Sequence, residues 1–230
     1  MTNPLERVIE PEVMDDPLEA ADYDAMDHAA VNAAFAADFL TAASAAGVDL
    51  ADPAAEVLDV GTGTAQIPIE LGRRHALIRV VGIDLAENML ALGRRNVAEA
   101  GLETQIKLER VDAKRLPFID RQFAAVISNS IVHHIPEPRE TLAEARRVTR
   151  LGGLIFFRDL LRPLDEATVR QLVETYAVGA NGHQHALFEA SLRAALNLDE
   201  IRALVGELGF DPVQVRQTTD RHWTWSVKHG

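Results

Sequence analysis

Cysteine is missing from all 230 residues. Disulfide frameworks, thiolate nucleophiles and cysteine-based metal sites are thereby excluded. Positive charge is scarce: 23 Lys and Arg stand against 35 Asp and Glu, a formal net charge of −12. A broad basic surface that grips phosphate backbones is therefore not expected, although a local basic pocket is compatible with that balance. Residues 1–16 lack a basic stretch followed by an apolar one, so no secretory signal is expected. No apolar run approaches the roughly 20 residues that span a bilayer. The expectation is a cytoplasmic protein with neither nucleic acid nor membrane as partner. Internal repeats and a linker to a second domain are also missing. The apolar share, 47% against 25% charged, suits one large domain over 1–230 with a real core.

What is present centres on Glu56 to Gly63, Glu-Val-Leu-Asp-Val-Gly-Thr-Gly. Val57, Leu58 and Val60 read as a short buried strand that runs into a glycine turn, and Thr64 to Ile67 opens a helical pattern. Strand, glycine turn and helix bring bare backbone N–H groups and a helix N-terminus to a ligand. Asp59 sets a carboxylate at the strand's end. The chain before this stretch is an acidic arm with prolines at 4, 11 and 17, then an alanine-rich helix from about His28 to Ala46. Asp27 is its expected N-cap and Gly47 its end.

Strands and helices alternate after it. Strands are expected over 78–83, 105–110, 123–127 and 154–157, with helices over 86–100 and 138–150. Strands separated by helices of this length form parallel βαβ units with right-handed crossovers. Beyond Arg158 the rhythm changes. Helical patterns cover 165–178, 187–196 and 199–208, and Asn181-Gly-His-Gln-His reads as a loop. Residues 213–217 and 223–227 alternate as a hairpin that closes the sheet's edge. The fold class is therefore α/β: a doubly wound, mostly parallel seven-stranded sheet with a C-terminal antiparallel hairpin. Its parts are an N-terminal arm and helix (1–50), a ligand-binding core (56–159), a helical insertion (160–210) and the hairpin (211–230).

Two ligand classes suit this architecture. Dinucleotide dehydrogenases carry Gly-x-Gly-x-x-Gly. Gly61 and Gly63 fit, but Gln66 holds the third position, and no Tyr-x-x-x-Lys pair exists for hydride chemistry. Five stretches in order instead resemble the class I S-adenosylmethionine-dependent methyltransferases, in the branch of small-molecule and quinone methyltransferases. They are Asp59-x-Gly61-x-Gly63 with Ala65 in place of the last glycine, and Val80-Val-Gly-Ile-Asp84-Leu85 with Met89 following. Then come Val111-Asp112-Ala113 with Leu116-Pro117-Phe118, Ser128 to Pro136, and Val148 to Gly153. The resemblance covers roughly 56–159 and implies the Rossmann-like methyltransferase fold. It also implies S-adenosyl-L-methionine as cofactor, S-adenosyl-L-homocysteine as product and a small-molecule methyl acceptor.

On that resemblance, Asp84 accepts the ribose hydroxyls and Asp112 the adenine amino group. The Ala113 N–H meets a ring nitrogen, and Leu85 or Met89 packs a ring face. Asp59 takes the methionine ammonium, and the backbone of Gly61, Thr62 and Gly63 takes its carboxylate. Asn129 and Ser130 line the pocket, and Tyr23 lies in an arm that in this family often folds over the cofactor. Transfer by direct in-line displacement needs alignment and a dry cavity, and a base only where the acceptor must lose a proton. His133 and His134 are the candidate bases. Arg158 either holds an acceptor anion or pairs with an acidic neighbour. His183 and His185 read as an acceptor-side loop or lid, and no metal is expected there. An NAD(P)-dependent oxidoreductase and a non-catalytic cofactor-binding protein remain as rivals.

Overall fold

The computed structural model describes residues 5–13, 15–26 and 28–230. Asp27, the expected N-cap, lies outside them. In chain order come α1 (Pro17–Asp24), α2 (Ala29–Ala46), β1 (Val57–Val60), α3 (Gln66–Arg74), β2 (Val80–Asp84), α4 (Glu87–Glu99), β3 (Ile106–Arg110) and β4 (Phe123–Asn129). A 3₁₀ turn (Val132–His134) leads to α5 (Arg139–Val148), β5 (Thr149–Leu160), α6 (Glu166–Tyr176), α7 (Gly182–Ala194), α8 (Leu198–Glu207), β6 (Val215–Gln217) and β7 (His222–Lys228).

The sheet has seven strands in the order β3-β2-β1-β4-β5-β7-β6. β1 lies parallel between β2 and β4, and β6 pairs antiparallel with β7. The expected doubly wound sheet with a C-terminal hairpin is therefore present. All four residues of β1 are buried, as a strand covered on both faces requires. Strand order reverses at β1 and β4, which is where open α/β sheets leave a crevice beyond the strand ends. Asp59 pairs in register with Gly82 on β2. A Cβ at Gly82 would stand 2.6 Å from Thr62 Oγ1 and 2.8 Å from a methyl of Leu108. Only glycine lets the turn after β1 settle this closely on β2.

Packing groups the residues into two compact units. Among the described residues, one lies within Val13–Asn129, Arg139–Phe157 and Ser226–Gly230; the other within 5–12, Ser130–Pro138 and Arg158–Trp225. The core of the first is built from β1, α2, α3 and their neighbours. Phe35 and Phe39 are fully buried there, with ring centroids 5.2 and 6.0 Å from that of Phe156. α2 is a run of 18 residues, apolar enough for a membrane span and nearer that length than the sequence reading allowed. Its Phe35, Ala36, Phe39 and Ala43 face the core. Gly47 ends it at φ 73°. The second unit has its own cluster of Leu160, Val169, Leu172, Val173, Leu192 and Ala195.

Two of the boundaries that differ from expectation do so because a non-local partner or a cap decides them. The helix expected to reach 150 stops at Val148, and β5 already starts at Thr149. There the C-terminus supplies partners: Gly152 N donates to His229 O, and His229 N donates to Gly153 O. Residues 182–185, expected as loop, form the first turn of α7. Asn181 accepts from Gln184 N at 3.0 Å while the Gln184 side chain accepts from Asn181 N at 3.0 Å, a complete capping box. α6 ends at Tyr176, two residues early.

Candidate functional site

The turn after β1 carries left-handed backbone at Gly61 (φ 74°), Gly63 (φ 52°) and Ala65 (φ 64°). Its donors are engaged inside the protein. Gly61 N and Thr62 N both donate to Ile83 O at 2.9 Å, and Gly63 N donates to Asp84 Oδ2 at 2.9 Å. This corrects the picture of a turn whose N–H groups stand open for a ligand carboxylate. The other oxygen of Asp84 accepts from Ala86 N at 2.9 Å. Asp84 thus ties the glycine turn to the start of α4, and its carboxylate is a structural acceptor before any ligand arrives.

Asp59 is 2% exposed. Burial pushes its carboxyl up to about 7; the nearby Thr62 hydroxyl works against that rise, and the charge of Asp84 adds to it. Among the described residues no cation pairs with Asp59. Asn129 Oδ1 and Thr64 Oγ1 are likewise buried and have no hydrogen-bond partner among those residues. A buried carboxyl without a counter-charge and two unmatched polar atoms in the same unit fit a ligand that carries a cation and donors.

Residue Tyr23 sits on α1 among Ala20, Ala86, Met89 and Leu92. Burial raises its phenol, and the charges of Asp84, Asp59 and Asp24 raise it further. The fold has therefore drawn the arm's tyrosine into the neighbourhood of the two strand-end carboxylates. Asp24 holds α1 there. It accepts from Asn96 Nδ2 at 2.9 Å and from Gln66 Nε2 at 3.2 Å. Met89 is 5% exposed and Leu85 half-buried. Asp112 is more open. Its Oδ1 accepts from Lys114 N at 2.9 Å and pairs with Lys114 Nζ at 3.1 Å, with 41% of the side chain exposed. Ala113 beside it is buried.

In the second unit, Ser130 takes φ 60°, and its N–H donates to Arg158 O at 2.9 Å. The 3₁₀ turn that follows stacks the rings of His133 and His134 with centroids 4.1 Å apart. His133 Nδ1 lies 2.6 Å from Asp159 Oδ1. Asp159 in turn accepts from Val132 N and Leu160 N, each at 2.6 Å. Glu10 reaches the pair from the N-terminal arm, with Oε1 2.9 Å from His134 Nδ1 and 3.7 Å from His133 Nε2. Burial opposes charge on both rings. At His133 the Asp159 carboxylate outweighs it and raises the pKa; at His134 burial and the His133 charge prevail over Glu10 and lower it. Arg158 is buried, and its Nε donates to Thr224 Oγ1 at 3.0 Å. His183 and His185 lie on the first turn of α7, exposed and half-buried respectively.

Sequence reasoning missed Glu10 and the arm that delivers it. The signal is not local. Arg7 anchors that arm, donating to the carbonyls of Ala194 at 2.7 Å, Ile135 at 2.9 Å, Pro136 at 3.0 Å and His133 at 3.2 Å.

Comparison with known proteins gives the family and the fold. Residues 58–157 match the family model of the methyltransferase domain. A malonyl-[acyl-carrier protein] O-methyltransferase of Geobacter sulfurreducens is 32% identical over 200 residues, which cover 85% of this chain and 68% of that protein. A phosphatidylethanolamine N-methyltransferase of Cereibacter sphaeroides is 40% identical over 98 residues, 42% of this chain, and the chain spans only 46% of that relative's length. The crystal structure of a candidate S-adenosyl-L-methionine-dependent methyltransferase from Methanococcus maripaludis has the same fold. Its TM-score is 0.68 at 15% identity, with 96% of this chain and 97% of that one covered. The chain belongs to the class I S-adenosylmethionine-dependent methyltransferases.

Proposed function

We propose that the chain, acting over 1–230 as one catalytic domain, transfers a methyl group from S-adenosyl-L-methionine to a small-molecule acceptor, leaving S-adenosyl-L-homocysteine. The observation that carries this reading is Asp59. A carboxyl buried to 2% exposure and pushed up to about 7 is costly where it stands. A ligand ammonium beside it would turn that cost into attraction. The same group argues against an NAD(P)-dependent oxidoreductase. A pyrophosphate would meet a buried acid, and the Gly61, Thr62 and Gly63 N–H groups that should cradle it already have acceptors.

When bound, the cofactor would supply an activated sulfonium methyl for a single in-line displacement by the acceptor. The chain's residues bind and align. Asp59 takes the ammonium. Asp84, held by Gly63 and Ala86, offers its carboxylate to the ribose hydroxyls. Asp112, Ala113, Leu85 and Met89 frame the base, with Tyr23, Asn129 and Ser130 as further lining. Arg158, a buried guanidinium, is the candidate for an anionic group on the acceptor. His183 and His185, on the exposed start of α7, are kept only as acceptor-side residues. His133 and His134, read from the sequence as candidate bases, are both engaged by carboxylates, and the transfer as proposed takes no proton through either. The net charge of −12 supports an acceptor that is neither nucleic acid nor an anionic membrane surface.

Calorimetry with S-adenosyl-L-homocysteine and with NADH tests the cofactor, and labelled-methyl transfer across a panel of small acceptors tests the reaction. Binding of the first ligand alone, with turnover on at least one acceptor, is expected. A response to NADH alone overturns the proposal, and cofactor binding without turnover across the panel favours a non-catalytic protein of the same fold. Asp84→Asn should weaken S-adenosyl-L-homocysteine about tenfold or more, because a buried ligand contact is lost while an acceptor oxygen for the backbone remains.

A further inference from the structure

The cluster around the 3₁₀ turn has no part in the proposed methyl transfer, yet it is built with more care than a packing contact needs. Three side chains converge: His133 from the middle of the turn, His134 from its end and Glu10 from the arm. Their side chains are 4%, 21% and 11% exposed. One ligating atom of each lies within 4.8 Å of the other two. Oε1 of Glu10 is 2.9 Å from His134 Nδ1 and 3.7 Å from His133 Nε2. Bonds of about 2.0–2.2 Å to one tetrahedral ion set ligand atoms about 3.3 Å apart, between those two separations.

The surroundings orient each ligand. With Asp159 as acceptor at Nδ1, the neutral ring of His133 would present the lone pair of Nε2, the nitrogen that lies toward Glu10. This is the carboxylate–histidine arrangement that fixes tautomer and ring angle around bound metals. Asp159 is itself locked by two backbone donors, Val132 N and Leu160 N. Ser191 on α7 donates to Glu10 Oε1 at 3.2 Å. Arg7, the nearest cation on the arm, is occupied with the carbonyls of Ala194, Ile135, Pro136 and His133.

We infer that Glu10, His133 and His134 form a binding site for a divalent first-row transition-metal ion of the zinc type, with Asp159 and Ser191 as its outer shell. Two imidazoles and one carboxylate are a ligand set that suits zinc and leaves coordination positions open. On binding through Nδ1, His134 keeps one proton on Nε2, any second ring proton leaves to solvent, and no group changes oxidation state. Three protein ligands leave a position for an oxygen or nitrogen donor on a small molecule. The ion also clamps the arm to the 3₁₀ turn, since Glu10 comes from one and both histidines from the other.

The test is a zinc chloride titration of the EDTA-dialysed full chain by calorimetry. It needs neither S-adenosyl-L-methionine nor acceptor, so its outcome is independent of the transfer reaction. One ion per chain at micromolar affinity or tighter is expected. Glu10→Gln and His134→Asn should each lower that affinity about tenfold or more, and so should Asp159→Asn through the outer shell. A His183→Ala/His185→Ala double variant should bind as the wild type does. Wild-type crystals soaked in zinc chloride give a reading that no folding defect can disturb: an anomalous peak at the zinc edge within bonding distance of all three side chains. Undiminished affinity in Glu10→Gln, a peak elsewhere, or no binding at micromolar zinc overturns the inference.

Discussion

Asp59 shows how far one side chain's surroundings can be turned into an expectation. Its carboxyl sits at about 7 because it is buried. Below that pH it holds a proton in the ligand-free protein, and a ligand ammonium must displace it. Affinity for S-adenosyl-L-homocysteine should therefore fall up to about tenfold per pH unit below 7 and level off above it. Titration calorimetry from pH 5.5 to 8, in buffers of differing ionisation enthalpy, should register a proton released. In Asp59→Asn both the slope and the proton should vanish. Gly82 makes a steric counterpart. The methyl of Gly82→Ala would press on Thr62 Oγ1 and Leu108, at a cost of about 1–3 kcal/mol by urea denaturation. The acid at 59 and the glycine at 82 are legible in the sequence as motif letters. That the turn's N–H groups bond Ile83 and Asp84 is not, since it depends on how tightly two parallel strands stack.

The N-terminal arm behaves as an element although it lacks regular structure over residues 5–13. Four carbonyls accept from Arg7, and Val8 N donates to Arg193 O at 3.1 Å. Arg7→Ala should free residues 5–12 for hydrogen exchange and limited proteolysis, and cost about 1–3 kcal/mol, because several partly buried hydrogen bonds to a charged donor are lost together. Unchanged protection of the arm would refute this anchoring. At α7 the capping box predicts that Asn181→Ala destabilises by about 1 kcal/mol, measured by thermal unfolding. Asn-x-x-Gln was available to a reader of the chain, but Gly182 and two histidines masked it as loop. The early start of β5 had no such local sign, because its partner is the carbonyl of His229 at the far end of the chain.

At the scale of the whole molecule, two buried groups pull stability against pH in opposite directions. His222 is lowered to about 4, first by burial and then by the charge of Arg221. Between pH 6.5 and 4 the unfolded chain binds a proton there that the native state does not, so this group's contribution is lost as pH falls. Asp59 is raised, so between 3.8 and about 7 the native state holds the extra proton, and its contribution is lost as pH rises. In the wild-type protein the two slopes offset each other. His222→Gln leaves the slope of Asp59, and Asp59→Asn leaves that of His222. Between pH 4.5 and 6 the stabilities of these two variants should diverge by roughly 2–3 kcal/mol per pH unit. Guanidinium unfolding across that range measures it, and parallel curves would contradict the burial of one group or the other.

The parallel βαβ units, the closing hairpin, the glycine turn and the acids Asp59, Asp84 and Asp112 follow from periodicity and short motifs. Buried strands must be apolar, and a close turn needs glycine. These demands fall on neighbours in sequence, so they leave a mark there. The division of the chain into two compact units and the meeting of Glu10 with His133, His134 and Asp159 leave no such mark. Those contacts join residues far apart in the chain, and one glutamate in an acidic arm looks like any other. Only the folded chain selects it, because Arg7 finds the carbonyls of the 3₁₀ turn and α7, and so sets Glu10 beside a nitrogen of each ring.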